Sequence, residues 1–209
     1  MASVRRSRPV AVEPVTAVVY RFSDEERDRA IRVGNERQAF HDQRDTPNAY
    51  GLNADWKESA RINRVGALAE LCVASWLGVA DQWVEVTDNY KALRGDVVPG
   101  LEVRSSSHPR SGVLLHPRDP DDRVFVGVRT NHANDGWVEF VGWITAVDGK
   151  VDRWWPGANP SRPCFMVPPR ALHHMDTLPD RFWPNRCATC GGVTSGSESW
   201  DRWCNCPFV

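Results

Sequence analysis

The stretch VGALAELCVASWLG, residues 65–78, is apolar almost throughout and contains a single charged residue, Glu70. A helix that is apolar nearly all round is buried on most of its sides. The stretch therefore predicts a central buried helix, which we expect to run from about residue 55 to residue 77 and to end at Gly78.

Short strands are predicted after this helix, because apolar and β-branched runs there are separated by Gly, Pro and Asp. Residues 164–175 predict a later strand that leads into a short helix. A helix followed by a group of mixed strands indicates an α/β or α+β fold in which helices pack on a sheet. The expected strands cover residues 83–86, 96–98, 101–104, 113–115, 124–128 and 138–144.

The region before the central helix predicts one strand and one helix. Residues 15–20 suit a strand, and Pro14 makes its start an edge or a turn. Ser23 followed by Glu26 is typical of a helix N-terminus, so a first helix is expected from there. Residues 41–53, rich in Pro, Gly and Asn, predict a loop between the two helices.

The composition is that of a soluble globular protein, with 41% hydrophobic and 25% charged residues among 209. We expect an N-terminal arm with a possible edge strand (residues 1–22), a core (23–183) and a small tail (184–209). The formal net charge of −1 argues against a histone-like binder but is compatible with a local basic groove. Without an apolar membrane span or a secretory signal, we expect a cytoplasmic protein that does not contact membranes.

Glu70 needs a partner, because an unpaired carboxylate buried in an apolar helix is strongly destabilising. Arg61 or Arg64 at the start of the helix, or an arginine from the sheet, would be a purely structural partner. The alternative is that Glu70 lies at the rim of a cleft and takes part in a functional site.

A second acidic group lies in DVVPGLEVRSSS, residues 96–107. Glu102 and Arg104 alternate with an apolar residue, so both side chains face one side of the predicted strand. A turn through residues 99–100 would bring Asp96 near them. Carboxylate oxygens in such an arrangement suit a hard divalent cation. The alternative is a hairpin whose polar face is simply solvated.

The chain resembles the PD-(D/E)XK nuclease superfamily over roughly residues 55–145, and its phage-encoded members in particular. The resemblance rests on the helical Glu70, on GDV at residues 95–97 and on LEVRSS at residues 101–106. The resemblance implies a restriction-endonuclease-like mixed sheet flanked by helices, and metal-dependent hydrolysis of DNA, with RNA not excluded. It implies that Glu70, Asp96 and Glu102 bind Mg²⁺ or Mn²⁺, and that Arg104 takes the place of the usual lysine.

This sequence departs from the superfamily pattern in the short spacing between Asp96 and Glu102 and in Arg104. Arginine stays protonated and cannot act as a base, although its planar fork still binds phosphate. An active Mg²⁺-dependent deoxyribonuclease and a degenerate member that only binds DNA are both compatible with these departures. A third hypothesis is a structural or interaction protein that acts through its tail.

Nucleic-acid contacts are predicted directly after the acidic group, where hydroxyl and backbone N–H groups could hold phosphates. The residues expected to make them are Ser105, Ser106, Ser107 and Arg110. His108 is a candidate proton carrier or a solvated loop residue. Arginines 110, 118, 123 and 129 could line a groove, whereas the aspartates 119, 121 and 122 among them equally predict a mixed solvated surface.

The tail contains two close cysteine pairs in a short polar segment, which suits tetrahedral thiolate ligation of Zn²⁺. A tail too short to build its own core would gain stability from a structural metal. A disulfide cluster or loose thiols are the alternative, which a reducing cytosol disfavours. The expected ligands of this zinc-ribbon-like tail are Cys187, Cys190, Cys204 and Cys206.

Overall fold

The computed structural model describes residues 17–43, 55–83, 95–155 and 163–183. Within these ranges helices and strands are mixed along the chain, in agreement with the fold class expected from sequence. Their order is β1 (Val18–Arg21), α1 (Asp24–Gln43), α2 (Trp56–Trp76), β2 (Leu101–Ser106), β3 (Val113–Leu115), β4 (Val124–Arg129), β5 (Trp137–Thr145), α3 (Ala146–Gly149) and β6 (Phe165–Val167).

Both predicted long helices begin at side-chain caps. At α1 the Glu26 N–H donates to Ser23 Oγ at 3.1 Å, and the Ser23 N–H donates to a Glu26 carboxylate oxygen at 2.8 Å. At α2 the Glu58 N–H donates to the Asp55 carboxylate at 2.9 Å. Gly78, with a φ of 74°, follows the end of α2. The α2 prediction is therefore confirmed at both ends.

The larger sheet is mixed and has the strand order β1-β5-β4-β2. β2 runs parallel to β4, whereas β5 is antiparallel to both β4 and β1. β3 and β6 form a separate antiparallel pair. Within the described sheet β1 and β2 lie at the two edges, so the strand expected near the N-terminus is confirmed as an edge strand.

The two faces of the larger sheet have separate cores. α2 covers one face, where Leu71 of the helix packs in the same cluster as Val103 of β2. β3 and β6 cover the opposite face, where Leu115 and Val167 pack with Phe125 of β4. The side of a strand on which a residue points therefore decides which core it meets.

Residues 96–98 do not form the expected strand; they form bends. The chain reverses at residues 98–101 immediately afterwards, so this segment has no length over which to pair with a neighbour. Residues 164–175 contain β6 and then a single 3-10 turn at Pro169–Ala171 in place of a regular short helix.

Several expectations fall on parts of the chain outside the described residues. These are the N-terminal arm up to residue 16, residues 44–53 of the loop, residues 84–86 of a predicted strand and the whole tail from residue 184. Among the helices in the described ranges, none is both long enough and apolar enough to cross a bilayer.

Candidate functional site

A tight turn before β2 places Asp96 beside that strand. The Leu101 N–H donates to the Val98 carbonyl at 3.0 Å, and the Asp96 N–H donates to the Leu101 carbonyl at 2.9 Å. Gly100 has a φ of +85°, a conformation that the third residue of this turn requires and that glycine adopts without strain. The turn predicted through residues 99–100 is confirmed.

Asp96 lies along the edge of β2, where its Oδ2 accepts a hydrogen bond from the Val103 N–H at 2.8 Å. Burial, and then the charges of Glu70 and Glu102, raise the pKa of Asp96 to about 8. The Val103 N–H and the Arg104 guanidinium act on this pKa in the opposite direction. The three carboxyl groups predicted from sequence therefore share one electrostatic environment, although they come from α2, a turn and β2.

Glu70 is paired with Arg37 of α1. The two terminal nitrogens of Arg37 donate to the two carboxylate oxygens at 2.9 and 2.6 Å, and Trp83 Nε1 donates to Oε2 at 3.3 Å. Only 13% of the Glu70 side chain is exposed. A bidentate pair of this kind is strong and directional, so it joins α1 to α2 next to Asp96.

The alternative that Glu70 pairs with an arginine agrees with the structure, but the arginine is Arg37 of α1 and not Arg61, Arg64 or an arginine of the sheet. Arg61 instead donates to Glu58 at the exposed start of α2, because residues three apart lie on the same face of a helix. Arg61 lies nine residues before Glu70, which is about 13 Å along the helix axis.

Glu102 lies on the face of β2 opposite to α2. Val103 packs against α2, so the alternation of side chains directs Glu102 and Arg104 toward β3 and β6. Glu102 Oε1 accepts from Arg123 Nη1 at 2.9 Å, and Oε2 lies 3.9 Å from Arg104 Nη1. The predicted common side of Glu102 and Arg104 is confirmed, and Arg123 emerges as the main partner of Glu102.

Arg104 is held between an acid and an aromatic ring. Its Nη2 lies 3.2 Å from Asp119 Oδ1, and its guanidinium carbon lies 4.8 Å from the centre of the Phe125 ring. Its Nε is buried and has no hydrogen-bond partner among the described residues. The guanidinium is therefore fixed in direction, with one nitrogen toward Glu102.

Asp119 is a buried member of this network, whereas the sequence offered it as part of a solvated surface. Only 6% of its side chain is exposed, and its second carboxylate oxygen accepts from the His116 N–H at 2.7 Å. Lys150 donates to the Asp119 backbone carbonyl and to the Asp121 carboxylate, which holds the turn in place. The surface interpretation is wrong for Asp119 because the turn folds its side chain under β2.

The expected nucleic-acid contacts lie at the end of β2, which includes Ser105 and Ser106, and in the segment that follows it. Ser105, Ser107 and Arg110 are exposed. Ser106 Oγ accepts from the His108 N–H at 3.1 Å, and the Arg110 N–H donates to His108 Nδ1 at 3.2 Å. These residues are largely open to solvent, and the first of them, Ser105, lies about 10 Å along the strand from Glu102.

The cysteines fall into two groups. The four expected zinc ligands lie outside the described residues. Cys72 and Cys164 are buried, and burial raises the pKa of the Cys72 thiol. Cys72 is therefore a core residue of α2, as its position in the apolar stretch predicts.

Among the residues that the structure describes, no group of three or more His, Cys, Asp or Glu side chains is placed to hold a metal ion. Glu70 is paired with Arg37, and Glu102 is paired with Arg123. The donor chemistry still suits a hard divalent cation, because it consists of carboxylate oxygens. Burial is the main cause of the raised pKa of Asp96, which means that this carboxyl is mostly protonated near neutral pH.

No protein-family model, no curated protein and no solved structure matches this chain. Its function has to be inferred from its own residues.

Proposed function

We propose that the protein is a metal-dependent nuclease of the PD-(D/E)XK type, which hydrolyses phosphodiester bonds in DNA. One observation carries the proposal: Asp96 lies at the edge of β2, and the charges of Glu70 and Glu102 act together with burial to raise its pKa. Clustered and partly buried carboxylates are unfavourable unless a proton or a cation neutralises them. A divalent cation bound through carboxylate oxygens would meet that requirement.

The residues of the site would have distinct roles. Asp96 and Glu102 would hold Mg²⁺ or Mn²⁺, and Glu70 would be a further ligand or an anchor behind the site. The cation supplies a bound water of lowered pKa and compensates charge on the leaving oxygen. Arg104, fixed by Asp119, would contact the scissile phosphate as a permanent cation.

The finer features of the fold belong to the same proposal. A mixed sheet with α1 and α2 packed on one face is compatible with a restriction-endonuclease-like core over residues 23–183. The exposed residues Ser105, Ser107 and Arg110, together with Ser106, would contact the phosphate backbone of DNA. The spacing of the four tail cysteines favours a structural Zn²⁺ in a cytoplasmic protein.

A DNA-binding protein without hydrolytic activity is the second candidate, and the ion pairs favour it. Arg37 and Arg123 already neutralise Glu70 and Glu102, and Arg104 stands where the superfamily has lysine. In such a protein the carboxylates would stabilise the fold, while the exposed polar residues at the end of β2 and just after it would bind phosphate.

Cleavage of plasmid and single-stranded DNA with Mg²⁺ or Mn²⁺ tests the first candidate. We expect Asp96→Asn and Glu102→Gln to reduce the cleavage rate on the order of a hundredfold or more. The matched control is Glu139→Gln, because Glu139 is also a partly buried carboxylate paired with an arginine, Arg129, at 3.4 Å.

Three results decide between the hypotheses. Cleavage that survives Glu139→Gln and is lost in the two site variants would support the nuclease. Binding of DNA without cleavage in either metal would reject it and favour the second candidate. Absence of both binding and cleavage at low salt would favour an interaction protein.

A further inference from the structure

A histidine and a tryptophan stack on each other where the chain turns from β4 into β5. The rings of His132 and Trp137 are nearly parallel, at an angle of 9°, and their centroids are 3.8 Å apart. His132 Nδ1 lies 3.2 Å from Asp135 Oδ2, and 39% of the His132 side chain is exposed. The orientation of the stack is therefore fixed, while part of it stays open to solvent.

The backbone of the turn holds the stack in place. The Asp135 N–H donates to the His132 carbonyl at 2.9 Å. The Gly136 carbonyl accepts from the Phe22 N–H at 3.2 Å, which ties the turn to the residue just after β1. A ligand would meet a preorganised surface here, without the cost of ordering a loose loop.

The stack borders a corner of the larger sheet that the described parts of β3 and β6 do not cover. Val138 packs in the same core cluster as α2, so Trp137 and Glu139 point to the opposite face. Val19 and Arg21 of β1 pair in register with Glu139 and Trp137, which puts their side chains on that face too. Val19 is 51% exposed, so this corner is accessible.

A cation without an acidic partner lies beside the stack. Arg21 is exposed, and no acidic side chain among the described residues pairs with it. Glu139 lies on the same face, but Arg129 offsets its charge at 3.4 Å. An aromatic stack next to a cation complements a nucleotide, which offers a flat base and a phosphate.

The turn also adjoins the segment in which phosphate contacts are expected. The Thr130 N–H donates to the Ser106 carbonyl at 2.9 Å, and Arg129 Nε donates to the Ser111 carbonyl at 3.0 Å. Because β2 and β4 are parallel, the segments that follow them leave the sheet at the same edge. Ligands of open sheets commonly bind at this carboxyl edge of parallel strands. One nucleic-acid strand would thus meet both segments.

We propose that an unpaired base of single-stranded DNA stacks on the His132–Trp137 pair and that Arg21 contacts an adjacent phosphate. The bases of a duplex are already stacked on each other, so an aromatic platform selects unpaired nucleotides. This inference rests on the proposed function in so far as DNA is the ligand. It requires neither a bound cation nor hydrolysis.

Binding of a fluorescein-labelled oligothymidylate to the full chain tests the inference. Fluorescence anisotropy measures Kd without added divalent cations at about pH 8, where an ordinary histidine is neutral. We expect His132→Ala to raise Kd about tenfold, because one base loses its stacking partner. His132→Phe keeps an aromatic ring and should stay near wild type.

The salt dependence of Kd distinguishes stacking from phosphate contact. Arg21→Ala should raise Kd and should reduce the slope of log Kd against log salt concentration by about 0.7, the effect of losing one phosphate contact to a single strand. His132→Ala should leave this slope unchanged, because it removes no charge at that pH. Arg21→Lys keeps the charge and should retain the wild-type slope.

Two matched controls make the result specific. His173 is an exposed histidine whose ring centroid lies 4.5 Å from that of Trp143, about 20 Å further along β5 than Trp137. His173→Ala should leave Kd unchanged. Arg61→Ala removes an exposed arginine from α2, which covers the opposite face, and should leave the salt slope unchanged. Should His132→Ala fail to fold, His132→Gln also removes the ring and should weaken binding to the same extent.

The outcomes separate this inference from the proposed function. Wild-type Kd in both His132→Ala and His132→Gln, or an equal loss of affinity in His173→Ala, would overturn the inference while leaving the nuclease intact. Wild-type binding of duplex DNA but not of the oligothymidylate would do the same. Weaker binding in the His132 variants without any Mg²⁺-dependent cleavage by wild type would support the inference and reject the nuclease. Absence of DNA binding by wild type at low salt would overturn both and favour a protein as the partner of this surface.

Discussion

Arg104 and Asp119 form an ion pair at 3.2 Å in which the aspartate is the more deeply buried partner, with 6% of its side chain exposed against 25% for the arginine. Asp119 also accepts a backbone hydrogen bond from His116 at 2.7 Å. One carboxylate therefore fixes both the direction of Arg104 and the turn that follows β3.

Asp119→Ala should lower the free energy of unfolding by about 3 kcal/mol, because it leaves the Arg104 guanidinium without its charge partner and the His116 N–H without an acceptor. Asp121→Ala is the matched control, since 73% of the Asp121 side chain is exposed; its effect should stay below about 0.5 kcal/mol. Urea denaturation measures both. Equal effects of the two substitutions would contradict a buried role for Asp119.

Arg37→Ala should be about as destabilising, by roughly 3 kcal/mol, because Glu70 would remain as an uncompensated carboxylate with 13% exposure. Arg61→Ala removes a pair with Glu58 in which both side chains are nearly half exposed, so we expect a loss below about 0.5 kcal/mol. The two variants should be compared by chemical denaturation. The Arg37–Glu70 pair would not be structural if both variants unfolded at the wild-type midpoint.

Gly100→Ala should lower the free energy of unfolding by about 1–2 kcal/mol, because a residue with a side chain disfavours a φ of +85°. A methyl group has room there, with Phe182 Cε1 as the nearest atom at 3.8 Å, so the cost is conformational. Gly66→Ala, inside α2 and with no atom within 4 Å of the new methyl, should instead gain up to about 1 kcal/mol. In thermal unfolding, the midpoint temperature should be lower than wild type for Gly100→Ala and higher for Gly66→Ala.

The stability of the protein should fall as pH rises between about pH 4 and pH 8 through Asp96. The pKa of this carboxyl is about 8 in the folded protein against an ordinary value of 3.8, so the folded state binds more protons across that window. The free energy of unfolding then decreases with pH, by at most about 1.4 kcal/mol per pH unit.

Asp96→Asn should remove that contribution while keeping an acceptor for the Val103 N–H. Urea denaturation at about pH 5 and about pH 8 should therefore show that the free energy of unfolding falls less between these pH values in the variant than in wild type. If the difference between the two proteins were the same at both pH values, Asp96 would not titrate in this window.

Local features of the sequence predicted the elements that local interactions determine. The apolar stretch around Glu70 predicted α2, because burial and the caps at Asp55 and Gly78 act within the segment itself. The Pro-Gly pair predicted the turn that returns Asp96 to β2, because glycine provides the required φ. Because the chain turns directly after residues 96–98, this segment is too short to pair as a strand.

The partners of the charged residues could not be predicted in the same way. Arg37 lies 33 residues before Glu70, and Arg123 lies 21 residues after Glu102. Neither pair follows from a helical or strand period, since each depends on how separate elements pack. Asp119 sits in a run that mixes acidic and basic residues, a pattern typical of a solvated surface, and only the fold of its turn buries it.

The turn between β3 and β4 has a consequence for tolerance to insertions and deletions. It supplies Asp119 for Arg104 and Arg123 for Glu102, and its backbone bonds from Asp119 to His116 and from Arg123 to Pro120 hold the two side chains at a fixed separation. A one-residue change in length would put both partners out of register at once. This surface connection should therefore be as intolerant of length variation as a core strand, whereas most loops accept it.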